Sequence, residues 1–266
     1  MAAAGMGSLF ALTVPSRRGD PLIRWWKAYA GSMAIWTLGR TAFALSETPG
    51  MALFWMRISY LGGIWLVPTG LWLGYRLIQR DPPRGLSLAI VLSFVVFSVF
   101  VFTPFFIPTV SPKPPFRFYD DNPGTIYVIW TIIFSLAVLI IHVSIYRALR
   151  QSRGYVFSRI GYFFASGLLI FVAGMSTFPL VFDKPVFPLG VPLIVGSLAL
   201  MGYAVAQQRV KEPWVIVRNI SVGVLVAMPT AGLLALLARA AGGGAGTFTI
   251  ALFGASLFSC QFSRGG

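Results

Sequence analysis

One histidine, one cysteine and seven acidic residues in a chain of 266 leave little from which to build an enzyme. Cys260 alone excludes an intramolecular disulfide and any multi-cysteine zinc site. His142 alone excludes a bis-histidine haem and the two-histidine zinc motif of metalloproteases. A Ser-His-acid arrangement would need a carboxylate at membrane depth beside His142, and none of the long apolar stretches contains Asp or Glu. The stretch 188–206 has no lysine for a retinal Schiff base. Catalysis within this chain is therefore not expected, and no cofactor is implied.

Charge is scarce as well. Only 11% of the residues are charged, against about 25% in soluble globular domains. With 57% hydrophobic residues and a mean hydropathy of +0.79, the chain has too little polar surface to be covered by water. The charge that is present is lopsided, 21 Lys and Arg against 7 Asp and Glu. A net +14 would suit nucleic acid, but no basic recognition helix or Arg-rich tail carries it, so no nucleic-acid partner is expected. The lipid bilayer, with its anionic inner leaflet, is the expected partner.

What the chain has in abundance is long apolar runs. A spanning helix needs about 20 mostly apolar residues. That standard predicts helices at 28–45, 51–75, 86–103, 125–146, 160–180, 188–206, 219–238 and 246–262, preceded by an apolar run, Met1 to Pro15, too short to span. The fold class is accordingly an all-α polytopic transmembrane bundle of about eight to nine helices with a shortened first helix. Most basic residues fall in every second gap between these runs: Arg17 to Lys27, Arg76 to Arg84, Arg147 to Arg159, Arg209 to Arg218, and Arg264. Loops rich in Lys and Arg stay in the cytoplasm, so these gaps face inward, with the amino terminus outside and the carboxy terminus cytoplasmic in a plasma (inner) membrane.

Loop chemistry supports the boundaries. Ser46 to Gly50 reads as a tight outer turn, and Asp81-Pro82-Pro83-Arg84-Gly85 as an inner helix breaker. The longest outer loop, Pro104 to Gly124, carries six prolines and five aromatics and reads as an ordered, partly interfacial lid. The Trp and Tyr side chains read mostly as interfacial anchors. Gly70 with Gly74, and Gly161 with Ala165, are small-residue pairs suited to close helix packing.

The candidate site residues are the polar groups at membrane depth. Arg40 and Arg57 flank the outer turn at similar depth, where a charge costs less than the about 2.5–3.5 kcal/mol of the bilayer centre. Two readings are open. They snorkel outward or pair with Glu47, Asp120, Asp121 or Asp183, or they form an outer pocket for an anionic group that a planar guanidinium grips with two bonds. Asp183 and Lys184 form a solvated outer turn or belong to that ligand site. His142, about one turn before Arg147, is a neutral imidazole bonded to a neighbouring helix or a proton sensor.

A resemblance sharpens the function. Ile35-Trp36-Thr37-Leu38-Gly39, a short polar turn, and Ala52-Leu53-Phe54-Trp55-Met56-Arg57-Ile58-Ser59-Tyr60-Leu61-Gly62 with Val67-Pro68 resemble the seven-transmembrane amino-terminal region of bacterial sensor histidine kinases and related diguanylate cyclases. A second block, Gly174 to Leu180 with Asp183 to Gly190 and Gly202-Tyr203-Ala204-Val205, resembles the later helices and the exit from the seventh. The resemblance implies a sensor-like region over 1–208 with an incomplete first helix. Residues 209–266 would then hold a cytoplasmic connector and two further predicted transmembrane helices. The implied function is signal input. An unknown extracellular or membrane-borne ligand would shift helix packing, a cytoplasmic output domain absent from this chain would read the shift, and a second copy would be a possible partner. The alternatives are a small transporter or channel, against which stand the lack of internal repeats and of buried carboxylates in the spans, and a non-catalytic membrane assembly subunit.

Overall fold

The computed structural model describes residues 20–112, 119–182 and 193–206, together with Gly5 and Ser8. The expected spans at 219–238 and 246–262, the connector before them, most of the opening apolar run, Asp183 and Lys184 lie outside the described residues. The described helices are α1 (Pro21–Ala44), α2 (Pro49–Leu77), α3 (Arg84–Phe100), α4 (Thr125–Gln151), α5 (Gly154–Met175), the single turn α6 (Phe178–Val181) and α7 (Leu193–Ala206).

Each of the six longer helices matches an expected span, but three extend further at the ends rich in Lys and Arg. α1 starts at Pro21 because Asp20 caps it, its Oδ1 accepting from Leu22 N–H at 2.8 Å, with Pro at the first helical position. α4 continues to Gln151 and α5 begins at Gly154. Hydrophobicity marks where a helix enters lipid, whereas capping decides where it ends. Pro49 and Gly50, expected in the outer turn, are the first residues of α2, behind a Thr48 side-chain cap at 3.4 Å. At the other end of α2, Arg80 N–H bonds Tyr75 C=O at 2.9 Å around Gln79, whose φ of 57° is the left-handed stop of a helix C-terminus.

α1 lies along α2 as a tight pair. A Cβ at Gly62 would stand 2.3 Å from Trp36 N, and one at Gly39 would stand 2.8 Å from the Ser59 backbone, so glycine is what lets the two backbones meet. Ser59 Oγ adds a bond to Trp36 C=O at 2.8 Å. Of the glycines expected to pair helices, Gly70 faces the Tyr29 ring, Gly74 faces Ile145 and Phe163, and Gly161 is only loosely approached. α5 and α7 are clasped by reciprocal bonds of 2.8 Å from each of Ser166 Oγ and Ser197 Oγ to the other's carbonyl.

Apolar stripes point outward on α3 (Leu88, Leu92, Val96, Val99) and α4 (Ile129, Ile132, Leu136, Leu139), at the three- and four-residue spacing of one helix face. Among the described residues, Pro49–Leu77, Thr125–Gln151 and Val156–Met175 are long and apolar enough to cross a membrane. One departure from an all-helical chain lies in the long loop. There β1 (Val110–Pro112) pairs antiparallel with β2 (Tyr119–Asp121), with Ser111 opposite Asp120.

Candidate functional site

The β1–β2 hairpin carries two carboxylates, Asp120 and Asp121. Asn122 locks its base, with N–H to Thr109 C=O at 3.0 Å and Nδ2 to Thr109 Oγ1 at 2.9 Å. Gly124 N–H bonds Phe106 C=O at 2.9 Å; a Cβ at Gly124 would stand 2.2 Å from Phe105 C=O, so no larger residue fits there. Residues 104–112 and 119–124 of the expected lid are held in this way, and its acidic edge turns inward: Asp120 is 3% exposed and Asp121 fully buried.

There the carboxylates meet Arg40 near the end of α1. Its Nη1 donates to Asp120 Oδ1 at 3.2 Å and lies 3.7 Å from Asp121 Oδ1, while Nη2 reaches the Tyr60 hydroxyl at 3.3 Å. Tyr60 donates to Asp121 Oδ2 at 2.8 Å, and its oxygen stands 3.0 Å from the Tyr127 hydroxyl. Asp120 Oδ1 also accepts Asp121 N–H at 2.9 Å. One guanidinium thus serves two carboxylates inside the protein. Burial, and then the charge of Asp120, push the Asp121 carboxyl well above the ordinary carboxylate range, with Arg40 opposing the shift. A carboxyl that keeps its proton here leaves the cluster with no net charge.

Arg57 is placed differently. Its Nη2 donates to Ile107 C=O at 3.1 Å, tying α2 to the start of the same loop. Both arginines therefore hold the loop between α3 and α4, one by carboxylates and one by main chain. His142 sits deeper on α4. Its Nδ1 is 2.8 Å from Val138 C=O, so that nitrogen carries the proton, and its ring stands edge-on to Phe164 with Nε2 against Gly167.

Beneath the charged cluster lies a cavity of about 120 Å³, roughly tenfold what one water needs. Arg40, Tyr60 and Tyr127 border it at the hairpin end, Trp130 and Phe134 follow along α4, and Tyr29 and His142 lie deeper. Tyr60, Tyr127, Trp130 and Phe106 pack with centroids 5.5–5.6 Å apart, mostly edge to face. Trp130 is 4% exposed and Tyr127 1%, so these rings line the interior and are not interfacial anchors. Their signal in the sequence is the helical spacing of Tyr127, Trp130 and Phe134 in register with Ala137, Ile141 and Ile145.

Among the described residues no metal-holding cluster of His, Cys, Asp or Glu occurs, and Arg40, Asp120 and Asp121 are engaged with one another. Comparison with curated proteins and with solved structures finds no match. A family described as the N-terminal 7TM region of histidine kinase matches residues 1–211, which spans all of the described helices, and the chain belongs to that family.

Proposed function

We propose that this chain is the sensory input region of a histidine-kinase receptor and that the aromatic cavity beneath the hairpin receives the signal. The observation that carries the reading is a space of about 120 Å³ inside the bundle, walled by α1, α2, α4 and α5 and bordered by the hairpin's ion-paired cluster. An occupant touches all four helices at once. It can therefore favour one packing over another, which is the only way a ligand shifts an equilibrium. Arg40 acts here as the anchor that seats the hairpin over the cavity, and Arg57 holds the preceding loop. The helix ends rich in Lys and Arg face the cytoplasm of a plasma membrane, and the packing change leaves through α7 toward a cytoplasmic kinase or cyclase region.

Gly174→Leu tests the receiving site. Gly174 borders the cavity and a Cβ there meets nothing within 4 Å, so leucine fills the space without striking a neighbour at its root. Joined to a kinase catalytic region in cells, the variant is expected to hold phosphorylation at one level across growth conditions that change it in the parent, with thermal unfolding unaltered. A variant that still follows the parent rules the cavity out as the receiving site. For orientation, cysteines replacing Arg80 and Arg153 are expected to label only from the cytoplasm, and those replacing Thr48 and Ser111 only from outside.

A further inference from the structure

We infer that the cavity takes an uncharged, chain-like apolar molecule carrying one hydroxyl or carbonyl, and excludes anions. The inference rests on the cavity being the receiving site and adds the chemistry of what it receives. Shape comes first. Both Tyr29 and Arg40 of α1 border the cavity. They are eleven residues apart, which along a helix is about 16 Å, so the space runs with the bundle axis. Between them the walls are hydrocarbon and aromatic, including Leu66, Val67, Phe134 and Ile141. A long narrow apolar space selects an extended chain.

Charge comes second. An anionic headgroup would need a free guanidinium fork, and Arg40 has none to offer: Asp120, Asp121 and Tyr60 already occupy it. The cluster holds two carboxyl groups beside one cation and so offers no unbalanced positive charge, and a further carboxylate entering the apolar space would be desolvated without a partner. Arg57, the other cation at this depth among the described residues, spends its Nη2 on Ile107 and does not border the cavity.

One polar group in the lining is left over. The Tyr29 hydroxyl, on a side chain 4% exposed, has no hydrogen-bond partner among the described residues. The Trp130 indole N–H is also unpartnered, but it is closed off from the space and does not meet an occupant. The hydroxyl of a buried Tyr usually finds a partner, so an unpartnered one on this cavity points to an occupant that supplies it. A hydroxyl or a carbonyl can accept from it.

The test uses the full chain in nanodiscs of zwitterionic lipid and four terminally brominated probes with the same tail: octane, octanol, octanoate and octyltrimethylammonium. Bromine quenches tryptophan, and Trp36 and Trp130 border the cavity. Quenching that saturates in the parent and vanishes in Gly174→Leu reports cavity binding. Octanol is expected to bind tightest and octanoate at least tenfold more weakly. Tyr29→Phe, which removes the unpartnered hydroxyl and leaves the ring, is expected to cut octanol's advantage over octane by roughly two- to tenfold. Tightest binding by octanoate or octyltrimethylammonium overturns the inference while leaving the cavity as receiving site. Equal binding of octanol and octane, or a Tyr29→Phe variant that leaves octanol's advantage intact, overturns the polar part. No saturable quenching by any probe overturns the inference and the receiving-site reading together.

Discussion

The two ends of this bundle each bury an arginine, and the contacts described for the two differ in kind. At the hairpin end Arg40 reaches side chains 80 residues away in sequence, carboxylates carried by a loop. At the end rich in Lys and Arg, Arg159 is 4% exposed and donates from Nη2 to Leu77 C=O at 2.7 Å. Leu77 is the last residue of α2, so its carbonyl is one that the helix cannot satisfy itself, and it sits at the negative end of the helix dipole. Main chain cannot be protonated or withdrawn, whereas carboxylates on a loop can be both. The difference makes the hairpin end the adjustable one and the other a fixed joint between α2 and α5.

The comparison breaks most visibly at Arg40. Arg40→Met strands the buried carboxylate of Asp120 beside the Asp121 carboxyl, and removing one partner of a buried ion pair costs about 3–5 kcal/mol. Thermal unfolding in nanodiscs is expected to drop accordingly, and Asp120→Asn made in the same background is expected to restore part of the loss. Unchanged stability in Arg40→Met would mean that the carboxyls are already neutral and that the guanidinium adds nothing.

The pH dependence follows from the same cluster. Asp121 holds its proton more tightly folded than unfolded, so its contribution is fully present below the ordinary carboxylate pKa. That contribution is lost as pH rises toward about 8. Stability of the parent is expected to fall across that window, and Asp121→Asn, which cannot ionise, is expected to flatten the curve. A parent curve that rises with pH would reverse the assignment.

Much of this was readable beforehand, for identifiable reasons. Long apolar runs and alternating basic gaps dictate the helices, and the cost of a buried cation limits Arg40 to a short set of partners that included Asp120 and Asp121. What escaped depends on rotation and register. The tight α1–α2 contact falls at Gly39 and Gly62, not at Gly70 and Gly74, because only those two face the opposing backbone. The inward face of α4 turns Tyr127 and Trp130 into cavity walls, a placement that the helical spacing carries and aromatic composition alone does not. Three-residue strands flanked by prolines are too short to leave an alternating pattern, so β1 and β2 had no signal.

At the fixed end, Arg159→Met removes a charged donor from the carbonyl of Leu77 and is expected to cost about 1.5–3 kcal/mol. Cysteine pairs reporting the α2–α5 distance are expected to loosen at the Leu77 end and to stay unchanged near the hairpin. A change confined to the hairpin would show the two ends to be coupled.

The smallest effect sharpens the comparison from the solvent side. Arg76 and Asp81 form a 2.8 Å ion pair at the same end as Arg159, yet their side chains are 37% and 75% exposed. Water and salt screen such a pair, and holding two mobile side chains together costs entropy that offsets the attraction, leaving about 0–1 kcal/mol. Double-mutant cycles with Arg76→Ala and Asp81→Ala are expected to give a coupling near the lower end of that range, and to give none at high salt. A coupling that survives high salt would place the pair out of reach of bulk water. The end rich in Lys and Arg would then have a second buried charge contact, made by side chains instead of main chain, and would no longer differ in kind from the hairpin end.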